Sequence, residues 1–404
     1  EHDIKKLLAY HSIENIGIIL LGLGSSLIFL AFDMKSLATL GLVASLFHIF
    51  NHATFKALLF LAAGSVISKT HTRNMEDYGG LIKLMPQTAL FFLIGAMAIS
   101  ALPPFNGFFS EWLTFQTLLQ GMASSDIFLQ SIFILAGGAL AFTGGLALAC
   151  FVKAFGATFL ARPRSEEIHH AKESPTSLSV GMGALSTLCL LFGIFSGYLG
   201  SLFIKIGENL NAFRNLSPFT DSSSFVTPSS LVIPSSVVTS SSTLASSSLS
   251  SIVAPNNFGS VSAPAFFIFF VLIIFLVIIL VKFFVNKHQK TTIGATWDCG
   301  VDLTPRMEIT ATGFARSIVV IFAGILRPSI QHEIEYHDSE TRYLPKSRMV
   351  NLSTRDVYQF YFYQPLNTLL TSLSLKTKNI QSGNINLYVF YILIALVAAL
   401  FLSL

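Results

Sequence analysis

No feature constrains this chain more than its recurring runs of about 20 apolar residues, each long enough to cross the ~30 Å hydrocarbon core of a bilayer. They read as Ile13 to Phe32, Ser36 to Ile67, Thr88 to Leu119, Ile127 to Leu160, Leu178 to Ile204, Ala265 to Val285 and Leu387 to Leu404. A segment at membrane depth must satisfy its backbone polar groups internally, so each run is expected to be helical. The third run is interrupted by "ALPPFNG" at 101–107. Charged residues make up only 11% of the 404 residues, and hydrophobic ones 52%. A soluble chain averages roughly 25% charged residues, so a soluble surface is excluded. The expected fold is all-α: a polytopic membrane helix bundle with discontinuous helices, about seven spans and one interfacial helix.

Basic residues set the orientation. The N-terminus and the segments after the second and fourth spans share Lys5, Lys6, Lys69, Arg73, Lys83, Arg162, Arg164 and Lys172. The opposite side carries Lys35 between the first two spans, and Lys205 and Arg214 after the fifth. The lysine-rich side is expected to be cytoplasmic, and the chain a multi-pass protein of the cell's inner (plasma) membrane.

Residues 217–263 are a different polymer, rich in serine and threonine with scattered prolines, and read as a disordered tether outside the cytoplasm. Cys150, Cys189 and Cys299 share no metal-ligand spacing, so neither a disulfide framework nor a cluster site is indicated. The chain opens at Glu1 without a methionine and at the approach to a span. That suggests a preceding N-terminal part of a longer protein or of a split gene.

Within the second run, "FHIFNHATFK" places His48, His52 and Lys56 four residues apart, on one helix face about 6 Å from one another along the axis. A charge in the bilayer costs roughly 3 to more than 10 kcal/mol, so such groups usually face a bundle interior or a wet cavity. Lys56 is flanked on both sides by long apolar stretches, which makes snorkelling to the interface a poor explanation. The chemistry fits a proton relay: burial makes a lysine's charge costly and therefore switchable, and histidine titrates near neutrality. Three other readings stand beside it. The pair could hold zinc, although no H-E-x-x-H and no third ligand accompany it. It could bind haem, although one helix cannot offer both axial ligands. The histidines could also be ordinary core residues.

Pro103, Pro104 and Gly107 break the third span, and Glu111 follows about one turn into the restarted helix. Interrupted helices at membrane depth line wet cavities and mark ion paths, and a helix start favours a carboxylate. An interfacial glutamate at a simple kink is the alternative. His11 and Glu14 in "YHSIENIG" and Lys153 in "CFVKAFG" are weaker candidates, since Glu14 could anchor at the interface and Lys153 could snorkel. "EEIHH" at 166–170 has metal-binding residue types but reads as a solvated loop.

"DIKKLLAYHSIENIGIILLGLG", "FHIFNHATFKALLFLAAGSVI", "TRNMEDYGGL" and "SALPPFNGFFSEWLTFQ" resemble the antiporter-like membrane subunits of respiratory complex I, Mrp antiporters and membrane-bound hydrogenases. "YHSIENIG", "FVKAFG", "RPRS" and "TWDCG" resemble the hydrogenase-4 component B and formate hydrogenlyase subunit 3 branch more than complex I chain 5. The likeness is dense to about residue 204, lapses through the Ser-rich insert and resumes at "TTIGATWDCG".

The resemblance implies a proton-translocating subunit of a redox-driven complex, itself non-redox and without a cofactor. His48 and His52 would be the relay, Lys56 the central carrier and Glu111 the terminal group. Chain 5 relatives have lysine where Glu111 stands, and chain 4 relatives glutamate. The family's first repeat, with its own glutamate and lysine pair, is not among these residues. Residues 1–210 would then be the C-terminal part of the transport module, 211–263 a linker, and 264–404 a transmembrane helix, an interfacial segment and a last transmembrane helix. "ATGFARSIVVIFAGILRPSI" at 311–330, with Arg316 and Arg327, is a candidate for the lateral helix of relatives. Expected partners are other membrane subunits, the lipid bilayer and protons, with sodium as an alternative cation and no nucleic acid. An Mrp-type cation/proton antiporter subunit is the rival reading.

Overall fold

The computed structural model describes residues 1–122, 126–160, 162–210, 251–253, 260–284, 300, 304–337, 345–354, 356–378, 383 and 385–403. The chain divides into two compact units, Glu1–Phe314 and Ala315–Leu404. In the first, α1 (Ile4–Ala31) and α2 (Lys35–Thr70) are followed by α3 (Pro86–Ile99), α4 (Asn106–Met122), α5 (Ile127–Phe155), α6 (Thr176–Ile194), α7 (Ser196–Glu208) and α8 (Ala263–Phe284). α9 (Ala311–Ile321) lies across the division between the units. Among the described residues, six helices are long and apolar enough to cross a membrane. The third span is interrupted as expected, forming the pair α3 and α4 on either side of 100–105.

Local sequence explains the helix ends. Asp3 caps α1, its side chain accepting from the backbone N–H of Lys5 and Lys6 at 2.8 and 3.0 Å. Asp126 does the same for α5 through Phe128 and Leu129. These caps satisfy N–H groups that have no partner within the helix. His71 closes α2 in left-handed backbone at φ 56°.

Helices without a water-driven force between them associate through small residues that let backbones approach. Gly22 and Ser26 of α1 face Ala38, Gly41 and Ser45 of α2, and Ser26 Oγ donates to the Ala38 carbonyl at 2.6 Å. A Cβ on Gly41 would lie 2.9 Å from the Ser26 backbone nitrogen. This contact sets the rotation of α1 against α2. The core forms three clusters, around Phe55, Leu58 and Phe92, around Phe29 and Phe133, and around Phe47 and Phe109, and α2 contributes to all three. It is the central helix, which is why polar groups along it are removed from lipid.

Two expectations are corrected here. The span expected over Leu178 to Ile204 is two helices, α6 and α7, meeting at Phe195, where φ −94° and ψ 22° leave the helical region. The helix expected over 311–330 ends early: α9 stops at Ile321, α10 (Ala323–Leu326) follows, and Arg327 closes it in left-handed backbone at φ 42°. Of the expected linker, residues 211–250 and 254–259 lie outside the described residues, as does Cys299 in "TWDCG". β1 (Ser251–Val253) and β2 (Ser260–Ser262) pair antiparallel.

In the second unit β3 (Ser329–Tyr336) and β4 (Pro345–Ser353) form an antiparallel ladder with His332 opposite Val350. α11 (Gln364–Lys378) and α12 (Ile385–Ser403) follow. Lys346 and Ser347 both donate to Glu335 across the ladder, at 3.0 and 3.1 Å.

Candidate functional site

The α1–α2 contact brings Asn15 to His48 and the Leu8 carbonyl to Lys56. His48 is buried, with Nε2 3.2 Å from Asn15 Oδ1 on α1 and Nδ1 2.9 Å from Ser110 Oγ on α4. Its ring is thus held by two other helices. His52, one turn on, is half-buried, and its Nε2 has no hydrogen-bond partner among the described residues. The Phe55 ring stands edge-on to both imidazoles, with centroids 6.3 Å from His48 and 5.7 Å from His52. The two histidines are therefore electrostatic neighbours without a hydrogen bond between them.

Lys56 is only 6% exposed, and its Nζ donates to the Leu8 carbonyl at 2.9 Å. No carboxylate lies within ion-pair distance of it among the described residues. Glu14, on α1, is half-buried and is paired with His11 Nδ1.

The break between α3 and α4 spans 100–105, with Ala101 in left-handed backbone at φ 49° and a cis peptide between Pro103 and Pro104. Just past the break, Asn106 at the start of α4 is bonded to Asn51 of α2. Asn51 Nδ2 donates to the Asn106 carbonyl at 2.9 Å, and Asn106 Nδ2 returns a bond to Asn51 Oδ1 at 3.2 Å. Gly107 is required because a Cβ there would strike the Ala98 carbonyl, and Gly193 because a Cβ would strike the Pro104 carbonyl. The two half-helices and α6 thus close on one another at the break. Glu111, 8% exposed, sits in the second turn of α4 beside Ser110.

The structure therefore places His48, Lys56 and Glu111 in the interior and His52 at its margin. Lys153 is buried at the end of α5, where Nζ donates to the Glu1 carbonyl at 3.1 Å. His11 also packs against Phe151, with ring centroids 4.7 Å apart. Both nitrogens of the His48 ring are engaged in hydrogen bonds, with Asn15 and Ser110, and among the described residues no third His, Cys, Asp or Glu joins the His48–His52 pair in a metal-binding group. The "EEIHH" stretch is a short 3-10 turn, Glu166–His170, with the four polar side chains exposed and Ile168 buried.

Sequence reasoning missed Asn15, Asn51, Asn106 and Ser110, all buried. A signal was present: each is a polar residue inside an apolar helix, and buried polar groups require partners.

The site is thus a bundle of membrane helices with a broken crossing packed on a central helix that carries buried titratable groups. Residues 1–137 match the family described as NADH:quinone oxidoreductase/Mrp antiporter, TM, and the chain is an antiporter-type membrane subunit of this complex I/Mrp-like kind. It is 32% identical over 406 residues to Hydrogenase-4 component B of Escherichia coli (strain K12), covering 99% of this chain and 55% of that protein. It is 35% identical over 332 residues to Formate hydrogenlyase subunit 3 of the same strain, covering 81% and 47%. The chain thus spans about half the length of these relatives. Among solved structures, the membrane-bound sulfane sulfur reductase (MBS), an archaeal respiratory membrane complex, matches with TM-score 0.56 at 18% identity, covering 96% of this chain and 55% of that one. That likeness bears on the fold alone.

Proposed function

We propose that the chain translocates protons through the membrane as a subunit of a redox-driven complex of the hydrogenase-4/formate hydrogenlyase kind, using His48, His52, Lys56 and Glu111. Residues 1–210 carry this work. One observation supports it above the rest: Lys56 is buried and held by a backbone carbonyl rather than a carboxylate. A structural buried lysine would be expected to have a charged partner, because leaving such a charge unpaired is costly. An amine keeps N–H donors whether or not it carries the extra proton. The bond to Leu8 is therefore usable in both states, as a carrier needs. The broken crossing next to it fits an ion path, and Glu111 stands in its second half. Redox chemistry belongs to partner subunits, whose conformational or electrostatic changes drive the protonation cycle of Lys56.

Glu111→Gln, in the full-length protein within its assembly, is expected to lose proton transport in inverted membrane vesicles. Glu111→Asp is expected to retain part of it. Wild-type transport by Glu111→Gln contradicts its role as the terminal group. The family's description also names Mrp antiporters, which favours a second reading, a cation/proton antiporter subunit with sodium as the exchanged cation. Purification from native membranes separates the two. A hydrogenase or dehydrogenase core that co-purifies supports the first, and a set of membrane antiporter subunits alone supports the second.

A further inference from the structure

His48 is bonded in a way that fixes which of its nitrogens can exchange a proton. Asn15 Nδ2 donates to the His11 carbonyl at 2.8 Å. A carbonyl only accepts, so the amide nitrogen must face it, and the amide oxygen must face His48 Nε2 at 3.2 Å. That oxygen also only accepts, so Nε2 carries a hydrogen. Nδ1 faces the Ser110 hydroxyl at 2.9 Å, and the same hydroxyl lies 3.1 Å from the Gly107 carbonyl. A serine has one proton to donate, and it cannot serve both acceptors at once.

We propose that Ser110 is the hydroxyl through which His48 takes up and returns its proton, with Asn15 as the positioning residue that keeps Nε2 protonated. This rests on the relay reading above. In the neutral ring, Ser110 donates to Nδ1. When a proton reaches Ser110 Oγ, a new O–H bond forms there as the old hydroxyl proton passes to Nδ1. The ring then carries the charge, Nδ1–H donates to Oγ, and the serine's new proton turns to the Gly107 carbonyl. Release runs in reverse. Both states keep both hydrogen bonds of the ring after a hydroxyl rotation alone. A ring flip would break both bonds and find no partner, since Asn15, His48 and Ser110 are 1%, 2% and 0% exposed. The consequence is that His48 exchanges its proton on the α4 side, beside Glu111, while His52 and Lys56 keep the places the relay reading gives them.

The test has two readouts on the full-length protein in its assembled complex. Nitrogen-15 NMR of histidine-labelled wild type, with the His48 resonance identified by its loss in His48→Gln, should show the neutral ring protonated at Nε2. Asn15→Leu should turn it into a mixture of tautomers. In vesicles, Ser110→Ala should slow proton transport about 10²-fold or more, the scale of a lost proton-transfer group, while Ser110→Thr, which keeps the hydroxyl, stays near wild type. A neutral ring protonated at Nδ1 in wild type overturns the proposal without any variant having to fold. Wild-type transport by Ser110→Ala alongside a silent Lys56→Met overturns the Ser110 route and leaves the relay standing. Wild-type transport by Lys56→Met overturns both.

Discussion

Glu76, in the loop between α2 and α3, lies outside the membrane spans and fastens the start of α9. It accepts from the Thr312 backbone N–H and hydroxyl, both at 2.6 Å, and lies 3.4 Å from His2 Nδ1. Burial alone would raise its carboxyl, but the contacts with His2 and Thr312 outweigh this and hold it at about 2, below its ordinary 4.5. A depressed carboxyl contributes stability that is complete above its ordinary value and lost as pH falls through the folded one. The Thr312 amide is therefore expected to stay protected from hydrogen exchange above pH 4.5, measured against its intrinsic rate, and to lose protection between 4.5 and about 2. Glu76→Ala should remove about 1.5–3 kcal/mol of that protection at every pH above this window, the worth of hydrogen bonds to a charged group. Unchanged exchange would show that the carboxylate carries none of the anchoring. At this scale the sequence was half legible. "FHIFNHATFK" located the titratable groups through their four-residue spacing. The partners of His48 stand 33 and 62 residues away on other helices, and no local pattern encodes them.

At the scale of elements, the break between α3 and α4 was readable because proline removes a donor and disfavours helix before it. The break at Phe195 was not, because it accompanies the close contact of Gly193 with the Pro104 carbonyl, a tertiary event. The β3–β4 ladder was missed because every residue of β3 is exposed, so no buried face imposes an alternating pattern on it. The break itself is held by Asn51 and Asn106. Asn51→Leu leaves the Asn106 carbonyl without that donor and should cost about 1–3 kcal/mol, and Gly193→Leu a similar amount through overpacking. Gly17→Ala, which meets nothing within 4 Å, is the matched control. Thermal unfolding of the purified assembly in detergent measures all three, and an Asn51→Leu variant as stable as wild type would show that the break does not need its α2 partner. The "RPRS" stretch gains a structural role as well. Arg164 donates to the carbonyls of Met75, Tyr78 and Ala157 at 3.5, 3.2 and 3.3 Å, tying the turn that follows α5 to the loop after α2.

At the scale of the molecule, α2 carries the account: it is central in the first unit, and its buried polar groups meet α1 and α4. Neither α8 nor α12 has a buried residue among those described, as suits helices facing lipid or a neighbouring subunit. Membrane character was plain from hydropathy because a bilayer imposes length and composition together. The number of unbroken spans was not, because packing decides where a long apolar run bends. The central claim is that buried titratable side chains around α2 pass protons across the membrane. Its most direct test is proton translocation in inverted vesicles bearing the full-length protein in its assembly, comparing wild type with Lys56→Met after immunoblotting has shown equal assembly. The account predicts that Lys56→Met assembles and builds no proton gradient, and a wild-type gradient from that variant would contradict it.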